Sequence, residues 1–436
     1  MMNFTKSGVL TLVFLCFPAS VFAQASDANL TGLVTDATGA GVAAAAVSIE
    51  NPATGFKQTA ETLQDGTYRF NNLPPASYTV NISKTGFAAS SRRNVQLEST
   101  RTSTLNVTLE VGAVATTVEV TEAAAIIDTT TATLQNTYTA AQATRMPITG
   151  FGSGATNLGV INLSLLSAGV TSSGGVGYGT GPSIGGQRPT NNNFMIDGLD
   201  NNNRSVTGPS TTVSNEAVAE FSLGQNQVSA EFGQSTGGQF NTILKTGTNQ
   251  LHGSLYEYFQ NKHLNAVDES FARQGIRTAP RYDQNRFGGT VGGPVVKNRW
   301  FYFGNYERTV LGQASTSAGA VSAPTAEGIN TLRNLQGVNK QNLENFTRYV
   351  PQAPAASSNI TVLGQQIPVG VINVTGPAYS NFDSYIVSSD YNFSERDQLR
   401  ARYIYNRTGS INTSNVSLPE FFTPQKQSYH FASLSH

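Results

Sequence analysis

The sequence predicts a mainly β protein built in three successive styles of strand. Short alternating runs with a turn signal about every ten residues fill roughly the first hundred positions. Glycine, serine and asparagine then dominate the middle, and long two-residue alternation rich in tyrosine and phenylalanine follows. The expected order is a small β-sandwich, an α+β middle domain, and the first strands of an incomplete transmembrane antiparallel β-barrel.

The compartment comes from the N-terminus. Lys6 supplies a positive start, Val9–Phe17 a short apolar run, and Val21-Phe22-Ala23 a small-residue cleavage site, so residues 1–23 are expected to be a secretory signal. A membrane anchor needs about 20 apolar residues, more than this run holds. The single cysteine, Cys16, lies inside the signal, so the exported chain is held by burial and backbone pairing rather than by disulfides. With 27 Lys+Arg against 27 Asp+Glu and 12% charged residues, the chain lacks the clustered positive field that nucleic acid needs.

Residues 28–111 carry the first style, in the runs LTGLVTD, AAVSIEN, YRFNNL, SYTVNIS, NVQL and STLNVTLE. Asp36-Ala37-Thr38-Gly39 and Asp65-Gly66 supply turn residues, and Leu73-Pro74-Pro75 ends a strand. The DGxYxF and LPPxxY stretches resemble the carboxypeptidase regulatory-like (transthyretin-like) domain. The resemblance implies a transthyretin-like sandwich in an accessory role, without enzymatic activity. Ala76 departs from the family's usual glycine after the proline pair, which puts that turn's type in doubt.

Residues 112–124 form a linker in which Thr116–Ala124 alternates apolar and polar side chains without glycine or proline. Such a segment suits the last strand of the sandwich, and equally a strand offered to another protein's sheet by β-augmentation. Its position resembles that of the energy-coupling box of TonB-dependent outer-membrane receptors. The resemblance implies that a TonB-type inner-membrane transducer pairs with Thr117, Val118, Glu119, Val120 and Thr121.

The middle, residues 125–246, centres on GGQRPTNNNFMIDGLDNNN. A short helix is expected around Thr139–Arg145, ending at Met146-Pro147, and an apolar run spans Leu158–Leu166. Asp197, Asp200 and Asn202 invite a calcium loop, but the spacing Asp197-Gly198-Leu199-Asp200 does not offer oxygens at alternate positions. No phosphate loop follows a strand either. The remaining reading is structural: Phe194-Met195-Ile196 as a brief buried strand, Asp197-Gly198 as its turn, and asparagines satisfying backbone groups locally. The block, with SAEFGQSTGGQFNTILKTGTN behind it, resembles the plug of TonB-dependent receptors, in particular the Oar-like group with a regulatory-like domain in front. The resemblance implies a lumen-lodged α+β plug. Within it Asn193, Asp197, Gly198 and Asp200 are expected as structural or ligand-side groups, and Arg188, Glu220 and Glu231 as the charges that meet the wall.

From residue 247 the runs LHGSLYEYFQN, YDQNRFGGTVGG, RWFYFGNYERT, FDSYIVSSDYNFS and QLRARYIYNRT predict barrel strands. In the last run Leu399, Ala401, Tyr403 and Tyr405 share one face, and Arg400, Arg402, Ile404 and Asn406 the other. Residues 311–380 lack the alternation and are expected to be a long extracellular loop with one helix-like patch near Ala326–Tyr349. A plugged barrel needs about 22 strands of about 10 residues. Residues 247–436 number 190, so the chain is expected to be an N-terminal fragment of a longer receptor. The four histidines, His252, His263, His430 and His436, show no metal spacing and no acid partner, and no nucleophile or cofactor motif stands out. The reading is therefore force-driven uptake of an unknown extracellular ligand (oligosaccharide, peptide or metal chelate) by a protein seated in outer-membrane lipid. A surface adhesin or glycan-binding β protein is the alternative.

Overall fold

A computed structural model describes residues 27–112, 117–120, 134–146, 159–172, 181–204, 208–225, 233, 235–264, 266–267, 269–273, 277–279, 281–313, 317–375, 378–395, 397–412 and 422–436. The expected signal, Thr121 and Glu231 lie outside the described residues. Among the described residues no helix is long and apolar enough to cross a membrane, which says nothing about crossing by strands.

The first unit stacks two sheets. Its strands are β1 (Ala28–Thr35), β2 (Ala46–Glu50), β3 (Lys57–Glu61), β4 (Thr67–Leu73), β5 (Ala76–Ser83), β6 (Ala89–Leu97), β7 (Thr102–Thr104), β8 (Val107–Thr108) and β9 (Thr117–Val120). One sheet runs β4-β1-β7 with β8 also on β1; the other runs β3-β2-β5-β6-β9. Leu30, Ile49, Phe70, Tyr78 and Leu97 are among the residues that fill the space between them. The motif residues explain themselves here. Asp65 accepts from the Thr67 amide at 2.9 Å and the Thr67 hydroxyl at 2.7 Å, and Gly66 takes a left-handed φ of 83°, so the turn delivers Tyr68 and Phe70 inward. Tyr78 is buried, and its hydroxyl donates to the Pro74 carbonyl at 2.7 Å. Ala76 simply opens β5 with no positive φ, so alanine stands there without strain. The polar strand β3, KQTAE, is an edge strand that among the described residues pairs with β2 alone, which is why an apolar alternation did not announce it.

The middle unit contains β10 (Leu134–Thr139), β11 (Val170–Ser172), β12 (Pro182–Ile184), β13 (Asn193–Ile196), β14 (Leu199–Asp200), β15 (Val218–Gln225) and β16 (Gly238–Leu244). A five-stranded sheet, β10-β15-β16-β13-β14, holds it, and β11-β12 form a separate pair. The expected short helix is Ala140–Arg145, closed at its start by a Thr139/Gln142 capping box, and the apolar run becomes a 3-10 helix over Gly159–Leu166. Phe194 and Phe240 stack at 4.9 Å, with Phe221 and Tyr138 beside them.

The third unit is a six-stranded antiparallel sheet in the order β17-β18-β19-β23-β24-β25: β17 (His252–Asn261), β18 (Tyr282–Val296), β19 (Trp300–Gln313), β23 (Ala378–Asn392), β24 (Gln398–Asn412) and β25 (Thr423–Ser435). A helix over Glu269–Arg273 lies between β17 and β18. The turn after β23 is closed by the Phe393 amide donating to the Asp397 carbonyl at 2.9 Å. Residues 311–380 are not a plain loop: β19 runs to Gln313, and a folded lobe follows, with β20 (Ser317–Pro324), helices Ala326–Asn334 and Lys340–Tyr349, β21 (Ser358–Val362) and β22 (Gln365–Thr375). The lobe's strands pair in the order β20-β22-β21 with a small apolar cluster at Ala323, Ala353 and Ile372, a short-range order that two-residue alternation does not report.

The long sheet sorts its side chains by face. Along β19, Phe301, Phe303, Asn305, Glu307, Thr309 and Leu311 turn inward and are buried, while Trp300, Tyr302, Tyr306 and Val310 turn away. On β24 the expected division holds: Arg402, Ile404 and Asn406 are buried, whereas Tyr403 is exposed. The outward face also presents Leu255, Phe287, Val291, Tyr385 and Val387. Apolar groups on the open face and polar groups on the covered one reverse the pattern of a water-soluble sheet, and are what a strand between lipid and an aqueous lumen requires.

Candidate functional site

The inward face of the long sheet meets the middle unit along a seam that is apolar at its centre and polar around it. Phe303, Ile386 and Ile404 of the sheet join the cluster formed by Phe194, Phe221 and Phe240. The middle unit therefore has an aromatic core of its own, and the sheet completes it. Around that contact Asn305, Glu307, Ser384, Ser388 and Asn406 are buried, although side chains of this kind are seldom buried without partners. The Ser384 and Ser388 hydroxyls meet no protein partner among the described residues, as befits a wetted surface.

One clamp on this seam is ionic. Asp197 sits in the left-handed region with φ 49°, followed by Gly198 at 77°, so the chain reverses directly after the buried strand β13. The reversal is held by both carboxylate oxygens: Oδ1 accepts from the Leu244 amide at 2.9 Å, and Oδ2 takes Arg402 Nε at 2.6 Å. Arg402 extends its other arm to Asp390 at 2.8 Å, and its side chain is 4% exposed. Two residues along the same face, Arg400 pairs with Asp27 of the sandwich at 2.6 Å. Sandwich, middle unit and sheet thus converge on one cluster of two arginines and three aspartates.

Elsewhere on the seam, Glu307 accepts from the Ser214 hydroxyl at 2.8 Å and the Tyr256 hydroxyl at 3.0 Å. Tyr258 donates to Glu216 at 2.6 Å with the Arg286 guanidinium 4.3 Å from its ring centre, and Asn406 donates to the Thr212 carbonyl at 2.7 Å. A cavity of about 130 Å³ opens beside the ionic cluster, lined by Phe56, Pro75, Asp197, Ile243, Arg400 and Arg402 among others. Small-molecule sites occupy roughly 300–1,000 Å³, so this space suits a few waters rather than a bulky ligand. Among the described residues no group of three or more His, Cys, Asp or Glu could hold a metal ion.

The expected wall charges fall elsewhere. Arg188 is exposed and makes no ion pair among the described residues, because the turn at Gly185-Gly186 carries it to the surface. Glu220 is buried but faces the sandwich: the Ser99 amide and hydroxyl donate to its Oε1 at 2.9 and 2.6 Å. Burial pushes its carboxyl above the ordinary glutamate range, and the two Ser99 bonds pull it part of the way back. The wall contact belongs to Asp197 instead. Asn193 donates to Gln239 at 2.7 Å and accepts from Asn202 at 2.6 Å. Asp200 is exposed and receives the Asn202 amide at 2.9 Å. That bond is local, but most asparagine contacts are not: Asn192 donates to the Pro182 carbonyl and Asn201 to the Thr211 carbonyl, each at 2.8 Å. The asparagines staple loops to one another rather than each closing its own turn. Of the five residues expected to meet the transducer, Thr117–Val120 form β9, parallel to β6.

Arg400 and Arg402 were visible as an arginine pair on the lumen phase of a strand, but their partners Asp27, Asp197 and Asp390 are scattered through the chain. Two domain matches bear on the family. Residues 29–110 match the carboxypeptidase regulatory-like domain and residues 243–436 the outer membrane beta barrel domain. The chain is also 30% identical over 305 residues to the TonB-dependent transporter Oar of Myxococcus xanthus, a match that takes in 69% of this chain and 28% of that protein. The chain is thus similar to an Oar-like TonB-dependent transporter and carries a carboxypeptidase regulatory-like domain and an outer membrane beta barrel domain. Its place is the outer membrane of a Gram-negative cell. It spans a little over a quarter of the curated relative's length. Among solved structures it is similar to the outer membrane transporter YddB of Escherichia coli, with 13% identity and TM-score 0.39 over 64% of this chain and 33% of that one. The ferric enterobactin receptor PfeA of Pseudomonas aeruginosa gives 14% identity and TM-score 0.38 over 65% and 34%.

Proposed function

We propose that this receptor drives active uptake of a bulky ligand, of the oligosaccharide, peptide or metal-chelate class, across the outer membrane. Residues 125–246 act as the plug that gates the barrel, and Thr117–Thr121 as the strand gripped by a TonB-type inner-membrane transducer from the periplasmic side, where the sandwich also sits. The seam between middle unit and sheet carries the reading. A dry apolar seam would separate only at a large cost in exposed area. Here a small apolar centre is ringed by polar groups that water can satisfy once the surfaces part, and by a few ion pairs whose release is all-or-none. Such a contact holds at rest and yields to force. The reading asks for force rather than bond chemistry, so it assigns no nucleophile and no general base. Asp200, exposed on the turn, is the ligand-side group of the plug, while Asn193, Asp197 and Gly198 hold its shape.

The test is Val120→Pro, which removes a backbone donor from the coupling strand. Energised uptake should be abolished while ligand still binds whole cells. Unchanged uptake would overturn the coupling assignment, and release of the full-length protein from membranes by salt alone would favour a surface adhesin.

A further inference from the structure

The sandwich touches both other units, and the two contacts differ in kind. One reaches the middle unit through the turn that follows β6. There the Ser99 amide and hydroxyl donate to Glu220, Thr137 of β10 donates to Glu98 at 3.0 Å, and Gln135 donates to the Ser99 carbonyl at 3.0 Å while accepting from Thr100. Ser99 is wholly buried and Glu220 nearly so, and hydrogen bonds to a carboxylate in such a place are the strong ones. The other contact reaches one end of the long sheet. The antiparallel register brings the start of β17, the β18–β19 turn and the β23–β24 turn to that end, and bonds between Asn249 and Asn298 at 2.6 and 2.7 Å tie the first two together. Onto this rim the sandwich lays its β2–β3 turn and the polar edge strand β3. The Asn249 amide donates to the Ala53 carbonyl at 2.8 Å, Gln58 donates to the Glu395 carbonyl at 3.0 Å, and Asp27 pairs with Arg400 at 2.6 Å. These residues all keep some exposure, so water can take over each bond as the surfaces separate.

The charges at the rim are arranged for separation as well. Arg400 and Arg402 of the wall strand β24 each take an aspartate from a different unit, Asp27 of the sandwich and Asp197 of the middle unit. Asp390 of the wall bonds Arg402 at 2.8 Å and stands opposite Arg400 in the register. When both aspartates withdraw, the wall keeps a carboxylate beside both arginines, so no buried cation is stranded. The cavity of about 130 Å³ lies on the same plane, and sandwich, middle unit and sheet each supply part of its lining. We propose that the receptor parts along this plane: the sandwich rides with the plug as one body and leaves the rim with it, so that the rim contact latches the plug at rest. The inference rests on the reading of residues 125–246 as a plug that yields to force. It gives the accessory sandwich a mechanical task. The plug stays closed while the sandwich stays on the rim, because the buried joint outlasts the wet one.

A disulfide across the rim supplies the experiment. A Cβ placed on Gly55 falls 2.9 Å from Asn298 Cγ, so the Gly55→Cys and Asn298→Cys pair lies within disulfide reach, in a chain whose only native cysteine is Cys16. Both positions have a left-handed backbone, and the reduced pair is therefore the reference for the oxidised one. In the full-length receptor in isolated outer membranes, oxidation should slow hydrogen exchange across Val218–Gln225 and Gly238–Leu244 of the plug by about tenfold, and dithiothreitol should reverse it. Adding Glu220→Ala removes the buried half of the joint, and the lock should then slow the plug less. Failure of the disulfide to form would overturn the rim contact. A lock that leaves plug exchange unchanged, or that slows it equally with Glu220→Ala, would overturn the shared motion. Neither uptake nor the transducer enters the measurement, so failure here leaves the transport reading standing, and unchanged uptake in Val120→Pro leaves the latch standing.

Discussion

At the residue scale, Asp197 and Arg402 decide how firmly the middle unit is held. They do so unequally. Arg402→Leu leaves Asp197 and Asp390 buried near each other without their shared cation, a loss of about 3–5 kcal/mol for a broken buried ion pair. Asp197→Asn keeps a residue that tolerates the left-handed turn and an oxygen for the Leu244 amide, and leaves Arg402 neutralised by Asp390. Its cost should be nearer the 1.5–3 kcal/mol or so of one hydrogen bond to a charged group. Hydrogen exchange at Thr242–Leu244 should thus accelerate in both variants and more in Arg402→Leu. The reverse order would show that the turn, and not the ion pair, carries the contact. Asp197 was legible in the sequence as a turn residue. Its ionic role was not, because Arg402 lies 205 positions away.

At the scale of elements, the strands of the long sheet are specified by a period of two and by what lies on each phase. Five of the six strands follow from aromatic alternation; β25, TPQKQSYHFASLS, is polar through its first half and among the described residues pairs with β24. The outward phase makes a direct prediction. Val387 lies mid-strand on β23 between Gly304 and Tyr403 and is 52% exposed, and it is expected to face lipid. Val387→Arg should cost about 2–4 kcal/mol near the bilayer midplane. Heat-modifiable migration in detergent gels should show a smaller folded fraction in membranes. An undiminished folded fraction would mean that this face does not meet hydrocarbon. The missed elements share a cause: β3 is an edge strand with polar residues, and the lobe over 317–375 is ordered by short-range pairing, so neither leaves a long periodic signature.

For the whole molecule, the joints between units matter more than any unit alone. Glu220 is the buried joint between middle unit and sandwich, and its carboxyl is raised by burial. Folded Glu220 keeps its proton to higher pH than unfolded Glu220. Its contribution is therefore complete in acid, and declines as pH climbs from the ordinary glutamate value through the raised one. Glu220→Gln retains an oxygen for Ser99 and removes the titration. Thermal unfolding of the purified receptor between about pH 4 and 7 should fall with pH in the parent and less in the variant. Identical pH profiles would show that Ser99 compensates the burial fully.

The sequence by itself determined which side chains of the long strands share a face, where the sandwich turns fall, and that Phe194-Met195-Ile196 would be buried. Those properties follow from residues within a few positions of each other, through a two-residue period or the φ preference of Asp, Asn and Gly. Only the tertiary structure decided which charges pair, that Glu220 faces the sandwich and Asp197 the wall, and that β9 lies on β6. Each joins segments far apart in the chain, and local preference carries no information about which distant group closes the contact.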